Sequence, residues 1–232
     1  MYKRQDLHLR ITGDAVSALQ NSFAVDWNYM GQELIEDKSP AHHLTPDSPY
    51  NLGMQLVTAG PTGQWSNVAL VMLRAISQAK NCIFIQTPYF IPTEALLQAL
   101  QTAALSHVDV RIMMPIRSDS DMLRWASNSY IEQCLQAGIK VYLFKAGMLH
   151  CKAMLVDDDF STVGSTNFDF RSVEHNFESN MLIYSKEFNN RLREQFLADQ
   201  AQSHRVTMSE WRKRPLLQKS LESFMRLFAP IL

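Results

Sequence analysis

From Ser66 onward the chain keeps switching between helical and strand-like spacing of its apolar residues, and this alternation restricts its fold more than any other feature. Ser66 caps a predicted helix carrying Val68, Leu70, Leu73 and Ile76, and a short apolar strand follows over 82–86. Thr93 caps a second helix through Leu96, Leu97, Leu100 and Leu105, and 108–114 reads as another buried strand. The polar run Ser118-Asp119-Ser120-Asp121 opens a third helix, which Gly138 ends. Strands follow over 139–144 and 151–156, with Asp157-Asp158-Asp159 as the turn before 161–164. Such alternation predicts an α/β fold in which helices cover a sheet.

Composition agrees with this and closes off several functions. Hydrophobic residues make up 46% of the 232 and charged ones 19%, which is enough to bury a core and rules out a disordered chain. Lys plus Arg number 22 against 23 acids, so the chain is no general nucleic-acid coat, although a local anion site is compatible with it. The apolar run at 68–73 is far shorter than the roughly 18–20 residues of a membrane span, and the opening Met1-Tyr2-Lys3-Arg4 does not read as a signal peptide. Cys82, Cys134 and Cys151 make no CxxC pair and read as buried thiols in a reducing compartment.

The chain also resembles itself. Aligned without a gap, 7–27 and 180–200 match Leu9 with Leu182, Leu19 with Leu192, Phe23 with Phe196 and Asp26 with Asp199. Both segments read as a strand, a polar turn and an amphipathic helix, so duplication is a reading with an alternative, chance likeness between two strand–helix units. Under duplication, the first 30 or so residues are the tail of an earlier copy. Residues 31–50, with His42, His43 and three prolines, are then the linker.

Chemistry concentrates at His150-Cys151-Lys152-Ala153-Met154-Leu155-Val156-Asp157 and Gly164-Ser165-Thr166-Asn167. Side chains alternate along a strand, so His150 and Lys152 share one face and Cys151 and Ala153 the other. An imidazole beside an ammonium suits an anionic centre: one does nucleophilic or proton-transfer work and the other holds oxygens. Gly164 allows close approach, and Ser165 and Asn167 add neutral donors for a phosphoryl oxygen.

This pattern, HxKx4Dx6GSxN, resembles the HKD motif of the phospholipase D superfamily. Thr87-Pro88-Tyr89-Phe90-Ile91-Pro92, Gly147-Met148-Leu149, Asn167-Phe168-Asp169-Phe170-Arg171-Ser172 with Asn176 and Glu178, and Trp211-Arg212-Lys213-Arg214-Pro215 are similar to the C-terminal half of bacterial cardiolipin synthases. The likeness covers essentially the whole chain, and its one departure is Thr93, where the family usually has an acid. The resemblance implies an α-β-α sandwich with a mixed central sheet flanked by helices. It divides the chain into 1–45, the strand–helix tail of a preceding phospholipase D-like domain plus linker, and 46–232, a C-terminal phospholipase D-like domain.

Family members build one active site from two HKD motifs, and none of the other six histidines here has a lysine two positions on. The internal alignment would carry a partner motif to a position before Met1, so a preceding half, or a second copy of this chain, is the expected partner that completes the site. The implied reaction joins two phosphatidylglycerols into cardiolipin and releases glycerol through a phosphohistidine. It needs no metal and no cofactor, and no Gly-rich nucleotide loop is seen. His150, Lys152 and Asp157 are the catalytic candidates. The resemblance leans toward acid/base work for His150, and the sequence leaves that open against the nucleophilic role. Asp157, an odd number of residues from His150, reads as a structural partner.

Ser165 and Asn167 are expected at the substrate phosphate, and Glu178 is the candidate acid that orients an imidazole. Tyr89, Asp121 and Arg171 read equally as pocket residues or as core, cap and ion-pair residues, and Cys151 as packing. Near the C-terminus, Leu217, Leu221, Phe224, Met225 and Phe228 form one helix face amid a basic excess. That helix either docks on its own domain or lies on an anionic membrane surface. The implied location is the bacterial cytoplasmic membrane, peripheral for this chain, with the anchor in the parent's N-terminus. The alternatives are a hydrolytic phospholipase D or nuclease, which the near-neutral charge disfavours, and a silent half that only binds and assembles.

Overall fold

The computed structural model describes residues 4–33, 52–61 and 63–231. An eight-stranded mixed sheet runs in the order Ser203–Arg205, Lys140–Phe144, Asp109–Pro115, Cys82–Gln86, Ala153–Val156, Phe160–Gly164, Glu178–Tyr184 and Gly53–Ala59. Cys82–Gln86, Asp109–Pro115 and Lys140–Phe144 are parallel, and the helices Glu94–Leu105 and Asp121–Gln136 supply the crossovers that parallel neighbours require. The remaining neighbours are antiparallel, with Asp157-Asp158-Asp159 as the turn into Phe160–Gly164.

The central strands read as unbroken apolar runs because both faces are covered. Ile83, Ile85, Val110, Ile112 and Val141 pack in one cluster with Met72, Leu97 and Ile131 of three helices on that side. Phe84, Met113, Phe144 and Leu155 face the opposite way, onto Leu192 and Phe196 of the helix Lys186–Ala201, with Leu7 and Leu9 against the same cluster. Each fully buried Ile or Leu of these layers contributes about 1.5–3 kcal/mol. This is the expected α-β-α arrangement.

Several local expectations change. Thr93 caps its helix by accepting from the Leu96 N–H, but Ser66 does not cap: its hydroxyl donates to the Val173 carbonyl at 2.5 Å. Gly53–Ala59, unforeseen, closes one sheet edge by pairing antiparallel with Glu178–Tyr184. Of the two self-similar segments, both contain a helix, Ala15–Tyr29 and Lys186–Ala201. Only the second contains a full strand. Residues 6–12 keep an alternating burial pattern, but among the described residues the ladder nearest this segment, Arg4–Gln5 beside Met148–Leu149, lies just before it. Of the linker over 31–50, Gly31, Gln32 and Glu33 are described, and the rest, with His42, His43 and the boundary at 45/46, lies outside the described residues.

The C-terminal helix Leu216–Arg226 packs on Asp121–Gln136, and the apolar face expected for it is split. Met225 is buried and Leu221 and Phe228 are half-buried, whereas Leu217 and Phe224 are exposed. A polar cluster takes the inner face instead. Glu222, buried, accepts from Arg214 at 2.5 and 2.7 Å, from Gln218 at 3.0 Å and from Asn128 at 3.2 Å.

Candidate active site

Two short parallel ladders outside the main sheet build the site. Arg4–Gln5 pairs with Met148–Leu149, and the His150 N–H donates to the Gln5 carbonyl at 2.7 Å. Residues 150–152 therefore lie outside the main sheet, and its strand begins only at Ala153, two residues later than the sequence suggests. Alternation nevertheless holds: Cys151 is buried and His150 and Lys152 are half-buried. The second ladder sets Phe168–Asp169 beside Phe90–Ile91 and places Asn167 next to the Thr87–Tyr89 turn, where Thr87 Oγ1 accepts from the Phe168 N–H at 3.0 Å.

The His150 ring is held from two sides. Asp6 Oδ2 lies 2.9 Å from Nδ1, and Lys152 Nζ lies 3.0 Å from Nδ1 and 3.2 Å from Nε2 while donating to the His150 carbonyl at 2.7 Å. Burial pushes the Lys152 ammonium below its usual range, and the charges of Asp6 and Glu178 oppose that shift. Gln5 fixes the approach of Asp6: its amide donates at 2.6 Å to the buried Asp199, which also accepts from Gln86 at 2.8 Å and Gln195 at 3.1 Å. Cys151 lies on the far side. Burial first, then the nearby Asp6 and Asp199 charges, push its thiol up to about 12, so it stays neutral and serves as packing.

Sequence reasoning missed Asp6. The internal alignment gives no signal for it, since its extension sets Gln5 against Glu178 and Asp6 against Ser179. Glu178 itself accepts from Ser165 Oγ and from Asn176 at 3.1 Å, so the carboxylate at His150 is Asp6, and Glu178 occupies the neighbouring position.

Gly164 is there because two strands approach closely. A Cβ at this position would lie 2.6 Å from Asn180 Cα, and the Gly164 N–H reaches the Lys152 carbonyl at 3.2 Å, which ties the two halves of the motif together. The Ser165 hydroxyl accepts from the Ser179 N–H at 3.0 Å, and Thr166 donates to Asn180 at 2.7 Å. The Asn167 side chain hydrogen-bonds Asp169, and its Oδ1 is buried with no partner among the described residues. Ser165 and Glu178 open onto a cleft of about 460 Å³ walled by Trp65, Phe177 and Ser179. A larger cavity of about 800 Å³, between residues 8–15 and the edge strand, contains none of the motif residues.

Asp157 stands apart from this cluster. It sits in a left-handed conformation (φ 50°) past the other end of its strand, where its carboxylate accepts from the N–H groups of Lys80, Asn81 and Cys82 at 2.9, 2.7 and 2.9 Å. The structure thus sets it away from His150 and Lys152, with its carboxylate on backbone donors. It clamps the turn entering Cys82–Gln86. Asp157→Ala is expected to cost about 2 kcal/mol by leaving those donors without their acceptor, lowering the melting temperature by roughly 4–8 °C in a calorimetric scan. An unchanged melting temperature would refute the clamp. Tyr89 donates to Asp119 at 2.5 Å, Asp121 pairs with Arg124 at 2.7 Å, and Arg171 is exposed on Phe170–Glu174.

The chain is similar to known proteins. A family model described as "Cardiolipin synthase, PLD-like domain" matches residues 72–200. The major cardiolipin synthase ClsA of Bacillus subtilis (strain 168) is 41% identical over 228 residues, 98% of this chain and 47% of that protein. A cardiolipin synthase of Clostridium perfringens (strain SM101 / Type A) is 38% identical over 232 residues, 98% of this chain and 49% of that protein. The chain spans about half the length of these curated relatives. Among solved structures, the phosphatidylserine synthase of Haemophilus influenzae Rd KW20 aligns with a TM-score of 0.63 at 17% identity, over 93% of this chain and 55% of that one. Nuc, a phospholipase D family member from Salmonella typhimurium, aligns with a TM-score of 0.57 at 22% identity, over 67% of this chain and 99% of its own. These two likenesses show the fold.

Proposed function

The chain belongs to the cardiolipin synthase family of phospholipase D-like domains, and on that premise we propose that it supplies one half of a phosphatidyltransferase active site. The observation that supports this reading is the His150 imidazole, with Asp6 at its Nδ1 and the Lys152 ammonium against the ring. A carboxylate at Nδ1 fixes the tautomer and orients the ring, so Nε2 is the atom left to exchange a proton with a leaving or entering oxygen. Lys152 is placed to turn onto a non-bridging phosphate oxygen, with Ser165 and Asn167 as neutral donors beside it. Asp157 supports the strand from its far end.

In the proposed reaction, an imidazole nitrogen bonds to phosphorus of one phosphatidylglycerol, the phosphorus–glycerol oxygen bond breaks, and the second imidazole gives the departing glycerol its proton. A hydroxyl of a second phosphatidylglycerol then bonds to phosphorus as the phosphorus–nitrogen bond breaks, and its proton returns to the second imidazole. One phosphodiester replaces another, so no energy source is needed. His150 takes the proton-transfer part. The other imidazole comes from a second HKD-bearing half, as do contacts to the Glu178 carboxylate. A second copy of this chain would be the alternative partner. The substrates reach the site from the bacterial cytoplasmic membrane, with this chain at its surface. Among the described residues no helix is long and apolar enough to cross a bilayer.

The test is product identity. The completed two-motif protein, given phosphatidylglycerol in mixed micelles, is expected to release cardiolipin and glycerol in equal amounts, read by lipid chromatography and an enzymatic glycerol assay. Phosphatidic acid as the sole lipid product, or DNA cleavage without lipid turnover, would overturn the reading.

A further inference from the structure

Resting on the phosphatidyltransferase reading, we propose that the outward face of the C-terminal helix Leu216–Arg226 is the surface by which this domain lies on an anionic phospholipid bilayer. The helix is docked with Glu222 and Met225 inward. Glu222 is 2% exposed and locked by Arg214, which stacks on the Trp211 ring at 3.4 Å, while Leu217 is 83% and Leu227 75% exposed. Leu216, Leu217, Phe224 and Leu227, with Ser220 and Ser223 between them, all lie on that outer arc, and exposed Ile231 extends it. An inner face held by a buried ion pair leaves this stripe to meet something outside the domain.

Charge and position identify what it meets. Residues 205–231 contain six Lys or Arg and two acids, and both acids are engaged, Glu222 by Arg214 and Glu210 by His204. Lys213 is exposed ahead of the stripe and Lys219 lies beside it with its ammonium on the Arg212 carbonyl at 2.6 Å, whereas Arg226 turns inward over the Tyr130 ring, so Lys213 and Lys219 are the cations that meet negatively charged headgroups. The stripe also leads to the site. The terminal turn Ala229–Ile231 contacts the helix Phe170–Glu174, which follows directly on Asn167–Asp169. Ser66 bonds that same helix at Val173, and beside it exposed Trp65 and Phe177 wall the cleft onto which Ser165 and Glu178 open. An apolar rim thus continues from the helix to the mouth where a lipid headgroup would enter.

The test uses the 232-residue chain with vesicles. A polarity-sensitive thiol dye is attached at Ser220→Cys, with Ser106→Cys as the control on a distant helix end; the native Cys82, Cys134 and Cys151 are buried and do not label. Vesicles of phosphatidylglycerol and phosphatidylcholine at low salt are expected to shift the Ser220→Cys emission to the blue and to sediment the protein. Phosphatidylcholine alone should do neither, and 0.5 M salt should reverse both. Phe224→Ser with Leu227→Ser should weaken sedimentation at least tenfold while the far-ultraviolet circular dichroism is kept. Lys213→Glu with Lys219→Glu, which leaves the apolar stripe intact, should do the same for anionic vesicles. Vesicle binding by this chain, combined with no turnover of phosphatidylglycerol by the completed two-motif protein, would sink the transferase reading and leave this surface standing. An unchanged dye signal, an equal shift at Ser106→Cys, or a shift produced by raising protein concentration without lipid, which would mean a second copy covers the stripe, would each overturn the proposal.

Discussion

His150→Ala in the completed two-motif protein is expected to lower phosphatidyl transfer by about ten-thousand-fold or more while the domain stays folded. The imidazole has no substitute on this strand: the Cys151 thiol is buried behind it and stays neutral, and the Lys152 ammonium is needed against the phosphate oxygens. Its removal costs the fold little. The His150 side chain is 23% and Asp6 50% exposed, so their pairing is screened and contributes about 1 kcal/mol or less. The melting temperature should therefore move by no more than about 4 °C. Asp6→Asn is a graded companion: it keeps the hydrogen bond and removes the charge, so it should reduce the rate less than His150→Ala at an unchanged KM. Turnover retained within tenfold in His150→Ala would place the chemistry elsewhere.

The parts of this site that rest on side-chain period were legible in the sequence, and the parts that rest on distant pairing were not. His150, Lys152 and buried Cys151 follow from two-residue alternation, and Gly164 from a close approach that its motif position announces. Asp6 lies 144 positions from His150 and reaches it only because two two-residue strands pair in parallel, an interaction too short to leave a periodic trace. Asp157 sits in a left-handed turn at the far end of its strand, which separates it from the histidine by more than the face parity used to read it. In the C-terminal helix the sequence showed an apolar face but not which way it turns. Arg214, stacked on Trp211, holds Glu222 on the inner side together with buried Met225, and this orientation leaves Leu217 and Phe224 outside. Gly53–Ala59 escaped notice because it is a sheet edge whose register is set entirely by Glu178–Tyr184, more than a hundred residues on.

Held as a monomer, the 232-residue chain is expected to convert phosphatidylglycerol at less than about one thousandth of the rate reached after a second HKD-bearing half is added. The chain has one HxK pair, and the reaction uses an imidazole twice at the same moment: one nitrogen bonded to phosphorus, another delivering a proton to the departing glycerol. His150 cannot hold both positions, and the Lys152 ammonium beside it is needed against the phosphate oxygens. Size-exclusion fractions of monomer mass should thus be nearly inactive on short-chain phosphatidylglycerol, and a separately expressed preceding half from a two-motif relative should restore turnover in a saturable, one-to-one manner. The same half with its own motif histidine replaced by alanine should bind and restore nothing, which separates a chemical requirement from a structural one. Rates that rise with the square of the concentration of this chain alone would show that two copies of His150 pair across a homodimer, which retains the two-imidazole requirement and reassigns the partner. Full turnover by monomer-sized material would defeat that requirement, since it would need one imidazole to act as nucleophile and proton donor within a single displacement.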